Sequence, residues 1–404
     1  MGIDTLLYFR LSAMMFLEFA VWGAWAPVLA SYLINDLKLS GKQTGWVYAT
    51  LWIACIISPF LGGQIADRYL ATQIFLGLVH LLGGACLLYA AFQKKFLPLF
   101  VAMFVYSLLY APTLALVNSL MFSHITNADV VAPRIRVWGT IGWIVAGWLL
   151  SVIRTQEKES GEGKKYSDCL LVAGILSLIL GVYCFTLPNT PPPDKPGNPL
   201  AFLEAFSMMK ETYFLVFLII SFVVTTELQF YYVPTAPFLQ DIGVSSKYVP
   251  AVMTIAQIAE IVGMAVLLPW AMVNLGIQWV LAIGVIAWPL RYMIFALMKP
   301  LWLIIASLSF HGIGYTFFFF AGQMFVDKVA PPDIKASAQA LIAVATLGLG
   351  NFIGTQFTGI ILDIFKDEEG KFKWRPIFVI PCVLTILCAI AFVLFFHPPA
   401  NPGQ

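Results

Sequence analysis

Charged residues are scarce in this sequence. Asp, Glu, Lys and Arg together make up only 11% of its 404 residues, whereas about 25% is usual in a soluble protein. Hydrophobic residues make up 60% of the chain, and the mean hydropathy is +0.86. This composition excludes an ordinary soluble domain. It predicts a polytopic membrane protein that has the lipid bilayer as its surroundings.

Signals for several kinds of site are also missing. The net charge is only +2 and no basic run occurs, so we expect no nucleic acid partner. The six cysteines form no CxxC pairs, which favours small core residues over disulfides or metal ligands. The sequence has no Walker A loop, metal-spaced cluster or nucleophile elbow. We therefore expect no cofactor, no metal and no direct use of ATP.

Long apolar segments are abundant instead. A bilayer-spanning helix needs about 20 apolar residues, and the first apolar run is too long for a signal peptide, so it is interpreted as the first span. The sequence predicts an all-α membrane protein with twelve transmembrane helices. Their predicted limits are 9–34, 44–66, 72–92, 95–123, 135–153, 168–187, 212–240, 247–273, 277–298, 300–327, 334–362 and 374–396.

A long polar segment separates the first six predicted spans from the last six. Its first part is rich in proline, which prevents a regular helix. From Pro199 to Lys210 apolar residues recur at helical spacing and predict an amphipathic helix on the membrane surface. We predict a six-helix bundle over 1–187, a linker over 188–211 and a second bundle over 212–404. Two such halves are typical of a rocking transporter with its substrate site between them.

Three glutamates, Glu18, Glu227 and Glu260, lie inside predicted spans. A charge at bilayer depth costs about 2.5 kcal/mol or more, so such a residue usually pairs with a base, binds a ligand or carries a proton. Arg291 lies in the middle of the ninth span and needs a partner, for which Glu227 and Glu260 are candidates. His80 and His311 also lie inside spans and are interpreted as hydrogen-bonded core residues, although His311 could face a cavity.

Several short segments form recognisable motifs. The turn after the second span, residues 63–68, reads GQIADR and is similar to the G-x-x-x-D-[RK] loop of the major facilitator superfamily. Five further segments narrow the resemblance to the bacterial nucleoside:proton symporter family, the nucleoside permeases of that superfamily. They are FLEFAVWGAW at 16–25, IRVWGTIG at 135–142, ELQ at 227–229, QIAE at 257–260 and KASAQ at 335–339.

This resemblance runs in order along nearly the whole chain. It implies a monomeric transporter that imports nucleosides with protons by alternating access, and not an enzyme. It also implies a multi-pass protein of the bacterial cytoplasmic (inner) membrane with both termini in the cytoplasm. The count of basic residues in the loops favours the opposite orientation.

The resemblance also implies functional residues in both halves. Three positions depart from the family pattern: Thr316 replaces a frequent aspartate, Tyr232 a common asparagine and Glu18 an uncharged amide. The exchange of acids makes Glu18 as well as Glu260 a candidate for proton coupling. The predicted gating-loop residues are Gly63, Asp67 and Arg68. The predicted substrate-binding residues are Arg136, Thr140, Trp143, Gln229, Tyr232, Gln257, Glu260 and Tyr315.

Helical spacing supports two of these groups. Arg136, Thr140 and Trp143 are spaced i, i+4 and i+7, so they share one helix face with a ring for stacking and polar donors that suit a nucleobase. Gln257 and Glu260 are spaced i, i+3, and an amide beside a carboxylate can bind ribose hydroxyls or a base edge. Ordinary packing of the tryptophan and interhelical hydrogen bonds of the polar pair are the alternatives.

Span seven carries a third group. Gln229 and Tyr232 are spaced i, i+3 and precede Pro234 and Pro237, which free backbone carbonyls and suit a gating helix. A kinked helix that only packs against its neighbours is the alternative. Glu227 is two residues from Gln229 and faces elsewhere, so we interpret it as a structural partner.

Two other functions remain open from the residues alone. A sugar or oligosaccharide symporter would share the fold and the combination of aromatic rings with carboxylates. His124 and Asp129 have the H-x4-D spacing of membrane acyltransferases, in which the aspartate orients a histidine base, but no further acyltransferase motif follows. A membrane acyltransferase or a non-transporting sensor is therefore the alternative of a different class.

Overall fold

The computed structural model of this protein is almost entirely helical. It describes residues 4–58, 69–126, 128–156, 167–192, 200–331 and 333–398. Contacts within the chain group it into two compact units. The first unit comprises Met1–Pro199 and Gly243–Thr254, and the second comprises Leu200–Ile242 and Ile255–Gln404. The bundle and linker boundaries predicted from the sequence stay a prediction.

The first unit is built from the first six long helices. We label them α1 (Thr5–Trp25), α2 (Gly41–Ile57), α3 (Thr72–Ala91), α4 (Phe96–Tyr110 and Thr113–Ser123), α5 (Ala128–Gln156) and α6 (Asp168–Cys184). Two short helical pieces, Leu29–Ser31 and Tyr32–Asp36, extend α1.

The second unit holds most of the remaining helices, several of which contain π-helical turns. They are α7 (Thr212–Tyr232 and Thr235–Asp241), α8 (Val249–Met253, Ile255–Val262, Gly263–Leu267 and Leu268–Asn274), α9 (Gly276–Leu297), α10 (Leu301–Ser307, Ser309–Gly314, Tyr315–Phe320 and Ala321–Val329), α11 (Lys335–Ala343, Val344–Gly350 and Asn351–Ile364) and α12 (Trp374–Phe395). The first turn of α8, Val249–Met253, belongs to the first unit.

Ten helices in the described part of the chain are long and apolar enough to cross a membrane. The two exceptions among the predicted spans are α2 and α6, which have 17 residues each. The prediction of an all-α membrane protein is confirmed, whereas the exact count of twelve spans stays a prediction.

Local sequence signals set several helix ends. The Asp4 side chain accepts a hydrogen bond from the backbone N–H of Leu7 and caps α1. Ser40 and Gln43 form a capping box at the start of α2, in which each side chain binds the other residue's backbone N–H. Prolines interrupt helices where their missing N–H prevents a continuous ladder. Pro112 divides α4, and Pro234 divides α7 as its position in the sequence suggested.

Glycine allows very close helix crossings in each unit. A Cβ added to Gly142 on α5 would lie 2.0 Å from the backbone oxygen of Phe16 on α1. In the second unit, a Cβ on Gly354 of α11 would lie 2.2 Å from the backbone oxygen of Thr226 on α7. Only a residue without a side chain permits backbone contact of this kind. These crossings fix the height of α1 against α5 and of α7 against α11.

Replacing Gly142 by alanine is expected to destabilise the protein by about 1–3 kcal/mol or more, because the new methyl group overlaps backbone that cannot rotate away. The measurement is the thermal unfolding midpoint of the purified protein in detergent. Gly83→Ala on α3 is the matched control, since its Cβ would meet nothing closer than 3.4 Å. Equal midpoints for the two variants would contradict the close crossing.

The linker region carries the predicted amphipathic helix in a tighter form. Residues Ala201–Lys210 form a 3₁₀ helix. Its Ala205 and Met208 are buried, and the Ser337 hydroxyl of α11 donates a 3.1 Å hydrogen bond to the Glu204 carboxylate. The opposite stripe, Leu200, Leu203 and Phe206, is nearly half exposed. This stripe has the spacing and chemistry for a membrane surface, which stays a prediction.

Candidate functional site

Helix α5 presents the first predicted group on one continuous helix of the first unit. Arg136 is exposed, Thr140 is half-buried and Trp143 is buried. Arg136 therefore keeps its charge near solvent, while Trp143 lies deeper along the same face. The three residues lie on one helix at i, i+4 and i+7, and their role in substrate binding stays a prediction.

Trp143 is part of an aromatic cluster that joins four helices. We use this name for Trp22 of α1, Trp52 of α2, Tyr110 of α4 and Trp143 of α5. The Trp22 ring makes T-shaped contacts with the other three at centroid distances of 5.3 Å to Trp143, 6.0 Å to Trp52 and 6.5 Å to Tyr110. T-shaped contacts of this kind stabilise aromatic pairs and hold ring orientation. The cluster provides rigid ring faces beside the polar side chains of α5.

Glu18 lies one helical turn before Trp22 on α1 and has no exposed surface. Its Oε2 lies 2.9 Å from Nε2 of the buried His80 on α3, outside hydrogen-bond geometry, so the contact is electrostatic. Its Oε1 lies 2.6 Å from the Thr113 hydroxyl, and the Tyr110 hydroxyl donates to its backbone oxygen. The ring of His80 also packs edge-on against Tyr110, at 6.0 Å. Tyr110, a member of the aromatic cluster, therefore also contacts both Glu18 and His80.

The second unit holds the predicted polar pair on α8. Gln257 is buried and Glu260 is half-buried. The side chain of Gln257 is in hydrogen-bonding range of the Tyr231 hydroxyl on α7. On α10, Tyr315 is 37% exposed, and the Thr316 hydroxyl donates to the backbone oxygen of Glu260. Thr316, which replaces the aspartate of the family pattern, thus uses its hydroxyl to bind the backbone of α8.

Gln229 and Tyr232 differ in their surroundings. The Gln229 side chain is fully buried and donates a 2.6 Å hydrogen bond to the Asn351 side chain of α11. Tyr232 ends the first segment of α7, is half-buried and meets the His311 ring edge-on at 5.9 Å. The geometry of Gln229 is that of an interhelical tie, while Tyr232 keeps some exposed surface.

Arg291, Glu227 and His311 lie in one buried layer of the second unit, which we call the charged layer. The Arg291 guanidinium is fully buried and binds Nδ1 of His311 at 2.7 Å. Four aromatic rings surround it, the nearest being Tyr292 at 4.3 Å from the ring centroid, and His311 stacks on Tyr231 at 3.8 Å. Because guanidinium only donates, His311 Nδ1 must accept, which fixes the neutral ring's proton on Nε2.

Glu227 lies in the same layer with both carboxylate oxygens buried and without a hydrogen-bond partner among the described residues. The positive charge of Arg291 acts on it through space. This arrangement agrees with the prediction of a structural role for Glu227, which stays a prediction.

His124 lies in a different chemical setting from a catalytic base. Its Nε2 is 2.8 Å from the Thr190 hydroxyl, and the backbone N–H of Thr190 binds the Gln73 side chain. Partial burial, and to a smaller extent the charge of Arg10, lower the pKa of His124. The histidine therefore ties the segment after α6 to α3 and α4.

Sequence reasoning missed part of each group. Trp52 and Asn351 carry no spacing signal, because each meets its partner through helix packing rather than along one helix. Tyr231 is adjacent to Tyr232 in sequence, yet only the fold brings it to His311 and Gln257. Trp22, one helical turn after Glu18, is a neighbour that the helical spacing of the sequence does predict. The predicted gating residues Gly63, Asp67 and Arg68 lie outside the described residues.

The arrangement suits reversible binding better than bond chemistry. The group in the first unit combines rings with hydroxyl and charged side chains, and the group in the second unit adds amides. In the described ranges no set of three His, Cys, Asp or Glu side chains could hold a metal ion.

Sequence comparisons agree with a binding and transport role. The family model described as nucleoside H⁺ symporter matches residues 5–401. The chain is 32% identical to the putative nucleoside transporter YegT of Escherichia coli K12, over 97% of this chain and 94% of that protein. It is 31% identical to the xanthosine permease of the same organism, over 98% and 97%.

Structural comparisons give the same picture. The fold matches the crystal structure of the nucleoside transporter NupG with a TM-score of 0.85 and 28% identity, covering 97% of this chain and 99% of that one. A D-xylose–proton symporter shares the fold at a TM-score of 0.75 and 13% identity, over 99% and 100% of the two chains. The fold is that of the major facilitator superfamily.

Proposed function

Because the chain belongs to the nucleoside H⁺ symporter family, we propose that it imports nucleosides together with protons across a bacterial inner membrane. It is a multi-pass membrane transporter and not an enzyme. The observation that carries the proposal is the family match over residues 5–401, together with two relatives more than 30% identical over nearly the whole chain. His124, which the acyltransferase alternative required as a base, binds Thr190.

The residues predicted from the sequence are proposed to contact the substrate. We assign ring stacking to Trp143 and polar contacts to Arg136 and Thr140. In the second unit, Glu260 and Gln257 supply a carboxylate and an amide for the ribose hydroxyls or a base edge. Tyr232 and Tyr315 supply further ring and hydroxyl surface, whereas Gln229 supports the site through Asn351.

Proton coupling requires an acidic group whose charge changes during transport. The proposed candidates are Glu260, half-buried on α8, and Glu18, fully buried on α1. Protonation removes a buried negative charge and thereby changes the relative stability of the transporter's conformations. The protein is proposed to act as a monomer with both termini in the cytoplasm.

The transport proposal predicts uptake driven by a pH gradient. Purified protein in proteoliposomes is expected to accumulate radiolabelled uridine, adenosine or another nucleoside when the outside is acidic, and to lose accumulation with a protonophore. Free ribose and disaccharides are expected not to compete, whereas excess unlabelled nucleoside is. Competition by a sugar but not by nucleosides would instead support a sugar symporter, and a lack of gradient-dependent accumulation for every nucleoside would refute the proposal.

Replacing Trp143 by alanine is expected to weaken nucleoside binding by about 1–3 kcal/mol, the usual value of one base–aromatic stack. This corresponds to about a 5- to 150-fold higher dissociation constant. The measurement is substrate-induced thermal stabilisation and direct binding in detergent. Trp143→Phe keeps a ring and should lose less affinity, and Trp302→Ala, at a site 68% exposed, should lose none. Unchanged affinity in folded Trp143→Ala would remove this residue from the site.

A further inference from the structure

The Glu18 and His80 side chains form a buried titratable pair in the first unit. Glu18 is 0% and His80 2% exposed, and their Oε2 and Nε2 atoms lie 2.9 Å apart. Glu18 has no other ion-pair partner among the described residues. The titratable groups that interact with it electrostatically are Tyr106 and Tyr110 of α4 and Cys184 of α6, none of which supplies a positive charge.

Charged groups on the helices packed against this pair have other positions. On α5, Arg134 and Arg136 are exposed. Arg154, near the other end of α5, donates a 2.7 Å hydrogen bond to the Asp168 carboxylate that begins α6. The charge of the Glu18–His80 pair is therefore set by the pair's own protons.

The hydrogen bonds around His80 fix which ring nitrogen carries a proton. The Ser177 hydroxyl on α6 donates its only proton to the backbone oxygen of His80, at 2.8 Å. Its oxygen also lies 3.3 Å from His80 Nδ1, so that contact is satisfied when Nδ1–H donates to Ser177. In a neutral ring Nε2 then carries no proton, and it lies 2.9 Å from Glu18 Oε2. Two electron-rich atoms 2.9 Å apart in an apolar interior repel each other unless a proton lies on one of them.

The Thr113 hydroxyl gives an independent indication. It has one proton but lies 2.6 Å from both Glu18 Oε1 and the backbone oxygen of Tyr110. If it donates to the backbone, as hydroxyls in helices commonly do, Oε1 meets another oxygen at hydrogen-bond distance. That contact is favourable when the carboxyl group is protonated. One extra proton can therefore be held at either end of the Glu18 carboxyl group, at Oε1 beside Thr113 or at Oε2 beside His80.

We propose that Glu18 and His80 together form the binding site for the transported proton, an inference that rests on the proposed function for its role in transport. A proton from water on one side of the membrane adds to Glu18 Oε2 or His80 Nε2 and makes the pair neutral. Its release to water on the other side leaves one net negative charge buried in the first unit. Only an O–H or N–H bond forms and breaks in this step.

Tyr110 provides the connection to substrate. Its hydroxyl binds the Glu18 backbone, its ring packs on His80, and the same ring belongs to the aromatic cluster that includes Trp143. Loss of the proton changes the charge beside His80, whose Nε2 lies 2.9 Å from Glu18 Oε2, and Tyr110 packs against the His80 ring. Proton occupancy and ring position are thereby coupled within one unit.

Transport measurements separate proton coupling from substrate binding. Wild-type protein is expected to accumulate nucleoside about tenfold across a gradient of about one pH unit, whereas Glu18→Gln should only equilibrate it while retaining nucleoside exchange without a gradient. His80→Gln keeps the carboxyl group but is expected to shift the pH of half-maximal uptake by roughly one unit or more. Ser107→Ala is the matched control, because it removes a buried hydrogen bond to Thr50 without a titratable group.

Infrared spectroscopy tests the proton site without any substrate. On acidification, wild-type protein is expected to gain a protonated-carboxyl band that Glu18→Gln lacks and that appears at a different pH in His80→Gln. This band in a protein that transports no nucleoside would refute the proposed function but support the proton site. Full gradient-driven accumulation by folded Glu18→Gln, or a titrating band that is unchanged in both variants, would overturn the inference. Should Glu18→Gln fail to fold, the His80→Gln spectrum and pH profile decide the matter.

Discussion

Replacing Arg291 by methionine is expected to destabilise the second unit by about 3–5 kcal/mol, because it leaves a buried carboxylate without a compensating charge. Arg291 is fully buried, and the carboxylate oxygens of Glu227 have no hydrogen-bond partner in the described ranges. The same change removes the donor to His311 Nδ1 and the cation that four aromatic rings surround. The measurement is the folded yield and thermal midpoint in detergent.

A second substitution distinguishes charge from packing. Arg291→Met combined with Glu227→Gln is expected to recover about 1–3 kcal/mol of the lost free energy of unfolding. The double variant lacks both the guanidinium cation and the carboxylate, so no uncompensated charge stays buried. Arg375→Met on α12 is the control, because this exposed arginine binds only a backbone oxygen in the described structure, and its loss should cost about 0.5 kcal/mol or less. No recovery in the double variant would show that Arg291 acts through its ring contacts and its hydrogen bond to His311 rather than through its charge on Glu227.

Replacing Glu260 by glutamine is expected to raise the nucleoside concentration for half-maximal uptake about 10- to 100-fold. A hydrogen bond to a charged group contributes about 1.5–3 kcal/mol, and each 1.4 kcal/mol is tenfold in affinity. Glu260 is half-buried on the α8 face that also carries Gln257, so its carboxylate can reach hydroxyl groups without a full desolvation cost. Uptake kinetics and direct binding in detergent both measure the change.

Glu260→Gln also tests the division of roles between the two acids. With the proton held by Glu18 and His80, this variant should still accumulate nucleoside across a pH gradient once substrate is saturating. Glu211→Gln, an exposed acid at the start of α7, is the control and should behave as wild type. If Glu260→Gln keeps its affinity but loses accumulation, Glu260 carries the proton and the Glu18–His80 assignment is wrong.

Much of the fold could be predicted because its signals are local. The spans follow from apolar length, the break in α7 from Pro234, and the shared face of Arg136, Thr140 and Trp143 from helical spacing. The helix before α7 was predicted from the spacing of Leu200, Leu203 and Phe206, although the chain adopts the tighter 3₁₀ form. Such features depend on residues within a few turns of one another, so no tertiary information is needed.

The sequence did not predict which side chains on different helices would pair. In the sequence, Arg291 had two equal candidates, and the structure gives it His311 as its hydrogen-bond partner and a ring of aromatic side chains. The sequence predicts substrate contact for Gln229, and only the structure shows that its amide nitrogen donates to Asn351 on another helix. Such pairs depend on the heights at which helices cross, which close glycine contacts such as Gly142 on Phe16 determine.

The sequence by itself determined that this chain is a helical membrane transporter, placed acids inside its spans and, through its motifs, indicated the family. Composition and apolar length are enough for the membrane helices and the acids inside them, since the bilayer demands apolar helices and makes every buried charge conspicuous. The transport function and the family came from the resemblance of the motifs. Only the tertiary structure decided that Glu18 lies against His80 and that Ser177 lies 3.3 Å from the other ring nitrogen of His80. It also decided that Tyr110 contacts both this pair and the Trp22 ring. These contacts connect four helices that are far apart in the chain, and the packing of those helices places a carboxylate against an imidazole nitrogen.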